Sequence, residues 1–174
     1  MEIRSIGPFL DYWQSVRGRT KRVIATIPDD RFDWTYMPDK FTFGDIIRHL
    51  ATIERYMYAE TVQGKPSSYP GYAESLQEQN ETPIEFMDRL DGEATKIFSR
   101  LTDEDLTKKC MTPAGTSITV WKWLRAMVEH EAHHRGQIYM MLSMLGVATP
   151  PLYGLTEEEV RAKSVNTRSG TNPA

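Results

Sequence analysis

The stretch TVWKWLRAMVEHEAHHRGQIYMMLSMLG, residues 119–146, decides the fold. Met127, His130, His134, Ile138, Met141 and Leu145 recur in steps of three and four, so they share one face of a single long helix. Thr119 is its candidate N-cap, and Gly146 stands where a left-handed residue ends such a helix. A helix with one apolar face must bury that face against partners of similar length.

The rest of the chain supplies three such partners. Ile6, Phe9, Leu10, Trp13, Val16, Thr20, Val23, Ile24 and Ile27 form one stripe, stopped by Pro28. A second helix is expected from Thr42-Phe43-Gly44-Asp45, a capping pattern, through Ile46, His49, Leu50, Ile53 and Met57. Thr82-Pro83-Ile84-Glu85 opens a third, with a cap, proline at the first helical position and an acid three residues past the cap; Met87, Leu90, Ala94, Ile97, Phe98 and Leu101 line it. Between the second and third, Gly64, Pro66, Pro70 and Gly71 mark a connection long enough to cross over the bundle. Pro150-Pro151-Leu152-Tyr153-Gly154 precede a short C-terminal helix capped by Thr156 with Glu159. No run of alternating strand residues stands out. The expected fold is an all-α four-helix bundle with a long crossover loop. Residues 1–163 are read as one domain and 164–174 as a disordered tail rich in Ser, Asn, Thr, Gly and Pro.

Composition fits that reading. The 174 residues are 40% hydrophobic and 26% charged, an ordinary globular balance in one domain's length. A net charge of −3 gives no positive field for nucleic acid. No apolar run is long enough to span a bilayer, and the first residues lack the pattern of a signal peptide. A single cysteine, Cys110, suits a reducing compartment, so a cytoplasmic protein is expected. Lys108 and Lys109 beside that cysteine are of the kind that lowers a thiol pKa, although nothing else about it suggests a nucleophile.

The chemistry lies in the histidines. His130 and His134 are one turn apart on the inward face of the fourth helix, and His49 sits in the stripe of the second. Imidazoles buried on facing helices need a shared partner, and a metal ion supplies one. Three protein ligands leave a position open, as in catalytic rather than structural sites. His133 points away and is expected at the surface or supporting a ligand. His130-Glu131-Ala132-His133-His134 also matches H-E-x-x-H, with Glu131 as base. However, Gln137 and Met140 stand where the longer form of that motif needs glycine and histidine, Glu157, Glu158 and Glu159 read as a solvated first turn, and no strand is available to hold a peptide. Glu131 therefore remains a weak catalytic candidate, read in the first place as a surface acid paired with Arg135. Trp13, Trp121, Trp123, Tyr56 and Phe98 are expected in the core or a dimer seam.

Three blocks carry a family resemblance: Phe43-Gly44-Asp45-Ile46-Ile47-Arg48-His49-Leu50, Glu129 through Ile138 with its H-x3-H-R-G-Q core, and Pro150 through Gly154. With the preceding Trp34-Thr35-Tyr36-Met37-Pro38, the chain resembles the DinB-like (DinB/YfiT) superfamily over about residues 5–155. The resemblance implies a four-helix bundle, often a homodimer, with a divalent metal on His49, His130 and His134. Nickel or zinc is the expected ion, with iron or manganese as alternatives. Related proteins include thiol S-transferases and a mycothiol-dependent maleylpyruvate isomerase, which points to a metal-dependent transferase or hydrolase and to a small-molecule substrate such as a low-molecular-weight thiol. The competing class is a non-catalytic metal-binding or dimerisation module in a stress response. Arg135 and Gln137, within the same block, are expected to support the ligands or a dimer contact.

Overall fold

In the computed structural model, which describes residues 2–71 and 81–168 with side chains to 164, helix α1 spans Ile6–Ile24 and turns its Trp13, Val16 and Val23 stripe fully inward. Helix α2 spans Phe43–Ile53 and opens on a complete capping box: Asp45 N–H donates to the Thr42 hydroxyl, and Thr42 N–H to the Asp45 carboxylate. It does not run on as a plain α-helix through Met57. A π-turn, Glu54–Tyr58, follows, then one short turn, α3, Ala59–Thr61. Helix α4, Pro83–Phe98, begins on the Thr82–Glu85 capping box read from sequence. Helix α5, Val120–Met144, is the long helix of residues 119–146, and Gly146 ends it at φ 68°. Helix α6, Glu157–Arg168, extends past residue 164, so the expected tail lies partly in this helix and otherwise outside the described residues.

The expectation of a purely helical chain needs correction. Strands β1, Lys109–Met111, and β2, Ser117–Thr119, form an antiparallel hairpin pairing Cys110 with Ile118. Three residues per strand are too few to display an alternating pattern, which is why the sequence shows none. The hairpin leads straight into α5, with Val120 N–H donating to Lys108 O at 3.0 Å. The crossing of the bundle is also elsewhere than expected. Helix α2 packs against α4, so the long connection after α3 joins side-by-side neighbours, whereas α1 packs chiefly on α5 and the crossings fall to residues 25–42 and 99–119. Of that long connection, residues 72–80 lie outside the described residues.

The core has two apolar clusters, one around Trp13, Phe98 and Leu124, the other around Ile24, Phe43, Ile47 and Leu142. Between them runs a buried polar waist to which all four long helices contribute. Arg17 and Thr20 come from α1, Thr52 and Glu54 from α2 and its π-turn, and Glu131, His134 and Arg135 from α5; all are buried. Asp91 of α4 completes it, 3.5 Å from Arg17. Arg17 is the hub. Its guanidinium pairs with Glu54 and lies 3.6 Å from Glu131, so one cation binds acids from three other helices. Helices this tightly tied fix the relative positions of whatever else their waist carries.

Candidate metal centre

His49 leaves α2 one turn before the waist, and His130 and His134 leave α5 beside it. The three imidazoles meet Nε2 to Nε2: His130 lies 3.2 Å from His49 and 3.1 Å from His134. One ligand atom from each ring lies within 4.8 Å of the other two. Nitrogens 2.0–2.1 Å from a tetrahedral zinc ion would stand ~3.3 Å apart, close to the spacing of two of these pairs.

The far side of two rings is held in the manner a ligand needs. His134 Nδ1 lies 2.7 Å from Gln137 Oε1, and His49 Nδ1 2.8 Å from the Tyr69 hydroxyl. An amide oxygen only accepts, so His134 carries its proton on Nδ1 and leaves Nε2 bare. Gln137 is steadied in turn by exposed His133, 3.2 Å from its amide nitrogen, and the His133 ring packs edge-on to His134 at 5.0 Å without joining the three convergent nitrogens. Phe41 and Tyr58 flank the rings at 5.7 Å from His49 and 6.4 Å from His130. This partly buried setting keeps the imidazoles neutral. Desolvation, then the neighbouring His134, holds His49 down at about 4; desolvation and the other histidines hold His130 at about 3. His134 is lowered by burial too, with Gln137 opposing. Three neutral imidazoles with convergent Nε2 atoms suit a divalent ion of the borderline kind.

Two readings from sequence change. Glu131 is neither a surface acid nor a partner of Arg135. One residue beyond His130 is 100° round the helix, which carries Glu131 toward α1, 2% exposed and within reach of Arg17. Arg135 instead donates to the Thr20 hydroxyl at 3.3 Å and to Val16 O at 3.4 Å. Among the described residues no contact joins Glu131 to the histidines, so the H-E-x-x-H geometry is not formed. Cys110 is buried in β1, and burial pushes its thiol pKa up, the reverse of what its lysine neighbours suggest. Trp13 and Phe98 pack edge to face in the core at 5.2 Å, as expected.

The sequence reading misses Tyr69 and the Arg17–Glu54–Asp91 network. Tyr69 carries no periodic signal because it sits in an irregular connection. The network does leave one: Arg17 falls four residues after Trp13, Glu54 four after Leu50, and Glu131 four after Met127, each a charge in apolar phase.

A family model described as the DinB superfamily matches residues 12–138. An uncharacterized Bacillus subtilis protein, YjoA, is 24% identical over 148 residues, covering 83% of this chain and 93% of its own. The crystal structure of YjoA superposes with a TM-score of 0.68 over 86% of this chain and 99% of that one, at 20% identity. A DinB-like protein from Bacillus cereus ATCC 10987 gives 0.69 at 19% identity, covering 85% and 97%. YfiT from Bacillus subtilis, described as a probable metal-dependent hydrolase with an unusual four-helix bundle topology, gives 0.62 at 19% identity, covering 82% and 89%.

Proposed function

The chain belongs to the DinB superfamily, and on that premise we propose that it is a metal-dependent enzyme acting on a small molecule through His49, His130 and His134. The observation that carries this reading is the convergence of three Nε2 atoms at 3.1–3.2 Å while Gln137 and Tyr69 hold the opposite nitrogens of two rings. A divalent ion, nickel or zinc, would supply Lewis-acid chemistry there, with one or more positions left for substrate. The chain's own residues do the rest. The histidines hold the ion, Gln137 and Tyr69 set their tautomers, and the Arg17 network fixes the helices from which they project.

The reaction class is hydrolysis or thiol transfer. YfiT's description favours the first by fold analogy, and a low-molecular-weight thiol as co-substrate is the second. With Glu131 turned into the waist, it is not placed to serve as the general base of a metallopeptidase, which supports a small substrate over a peptide. The proposal includes a cytoplasmic homodimer. Exposed Met140 and Met144 on α5 are candidate seam residues, and among the described residues no helix is long and apolar enough to cross a membrane. Protein loaded with nickel or zinc should hydrolyse an ester or lactone, or conjugate an electrophile with bacillithiol or glutathione, and lose that turnover in His130→Ala. A metal-loaded protein inert across both panels would support a binding module instead.

A further inference from the structure

We propose that Tyr69 is the positioning residue of this site: its hydroxyl accepts the Nδ1–H of His49, fixing the one neutral tautomer in which Nε2 is free to bind. The proposal rests on the three-histidine reading, but the proton arrangement it specifies exists without metal.

The arrangement follows from the pairwise contacts. Gln137 forces His134 into the Nδ1–H form, so His134 Nε2 presents a lone pair to His130 Nε2 at 3.1 Å. His130 also faces His49 Nε2, at 3.2 Å. If His49 carried its proton on Nε2 and donated it to His130, then His130 and His134 would oppose two lone pairs at hydrogen-bond distance. The alternative opposes no two lone pairs: His130 carries Nε2–H, shared between two bare neighbours, and His49 carries Nδ1–H, which needs an acceptor. The Tyr69 hydroxyl, 2.8 Å from that nitrogen with its ring edge-on to the imidazole, is that acceptor.

Tyr69 is not on the bundle, so something must hold it there. That is the π-turn. The carbonyl of Tyr56, inside Glu54–Tyr58, accepts from Ser68 N–H at 2.9 Å and from the Ser67 hydroxyl at 3.2 Å. The Ser67 oxygen then accepts Tyr69 N–H at 3.3 Å. A wider turn in the helix that bears His49 thus anchors the strap that returns to His49, a use in keeping with the frequency of π-turns at functional sites.

The experiment is long-range 1H–15N NMR of the metal-free protein at neutral pH, with zinc titration of the same samples. Wild type should show Nδ1–H for His49 and His134 and Nε2–H for His130. Tyr69→Phe, which keeps the ring, should move His49 toward Nε2–H and weaken zinc binding by about 10–100-fold, with unchanged helicity by circular dichroism. Ser67→Ala, which keeps the Tyr69 hydroxyl but loosens the strap, should shift both readouts part of the way. An unchanged His49 tautomer and a zinc Kd within about twofold of wild type in Tyr69→Phe would overturn the proposal. A wild type that binds no zinc would defeat the three-histidine reading, while the tautomers would still decide the role of Tyr69.

Discussion

Replacing Arg17 with methionine tests the polar waist. The side chains of Arg17, Glu54 and Glu131 are 4%, 4% and 2% exposed. Among the described residues Arg17 is the only cation within salt-bridge distance of either glutamate. Glu54 Oε1 and both Glu131 oxygens have no hydrogen-bond partner, so the guanidinium carries most of their compensation. Removing one member of a buried ionic cluster typically costs about 3–5 kcal/mol, because the charges left behind stay desolvated. For a chain of this size each kcal/mol lowers Tm by about 2–4 °C, so Arg17→Met should melt roughly 6–20 °C below wild type at pH 7. Adding Glu54→Gln and Glu131→Gln should restore much of the loss, since neutral amides need no counter-ion. Urea unfolding of the variants at pH 7 measures this. A loss under about 1 kcal/mol would refute the view that Arg17 compensates these acids.

Other outcomes follow from the same geometry. Burial, opposed by Arg17 and reinforced by Glu131 and Asp91, raises the Glu54 carboxyl above the usual range to about 8. The folded state therefore holds a proton that the unfolded chain releases, so wild-type stability should fall as pH rises from about 4.5 to 8, and Glu54→Gln should flatten that slope in denaturation at pH 5.5 and 8. The lowered His49 and His130 values act in the opposite sense: below pH 6.5 the unfolded chain gains protons that these rings refuse, so metal-free protein should lose that contribution as pH drops toward 4. NMR at pH 5.5 should find both rings neutral. Gln137→Leu, which removes the acceptor for His134 Nδ1, should weaken zinc binding by about 10–100-fold in a competition assay without loss of helix. Chelated wild type should remain helical by circular dichroism, because two apolar clusters stand independently of the ion.

What could be read from the sequence was what repeats or caps. The stripes of α1, α4 and α5, the boxes at Thr42 and Thr82 and the stop at Gly146 are local signals, and the structure keeps each. The convergence of His49 with His130 and His134 was legible too, because helical phase fixes direction and the family pattern fixes which helices meet. Features that depend on three-dimensional neighbours were not. The hairpin at 109–119 is too short to show a period, and the π-turn has no residue signature. Glu131 reads as an ordinary i,i+4 partner of Arg135 until α1 is seen lying across it. Tyr69 is distant in sequence from the ring it supports, and only the strap brings it there. Arg17, Glu54 and Glu131 lay between these cases, since charges in apolar phase on three helices are a visible anomaly whose resolution needs the fold.

The central claim is that one divalent ion binds at His49, His130 and His134, and metal content tests it most directly. Untagged wild type and the variants His49→Ala, His130→Ala, His134→Ala and His133→Ala would be incubated with nickel or zinc, desalted and measured by plasma mass spectrometry. Wild type should hold about one ion per chain and each of the first three variants little or none. His133→Ala should keep most of its metal, because its ring flanks His134 and steadies Gln137 but is not among the three whose nitrogens converge. A wild type that takes up neither ion, or a His49→Ala variant that stays full while His133→Ala empties, would contradict the account.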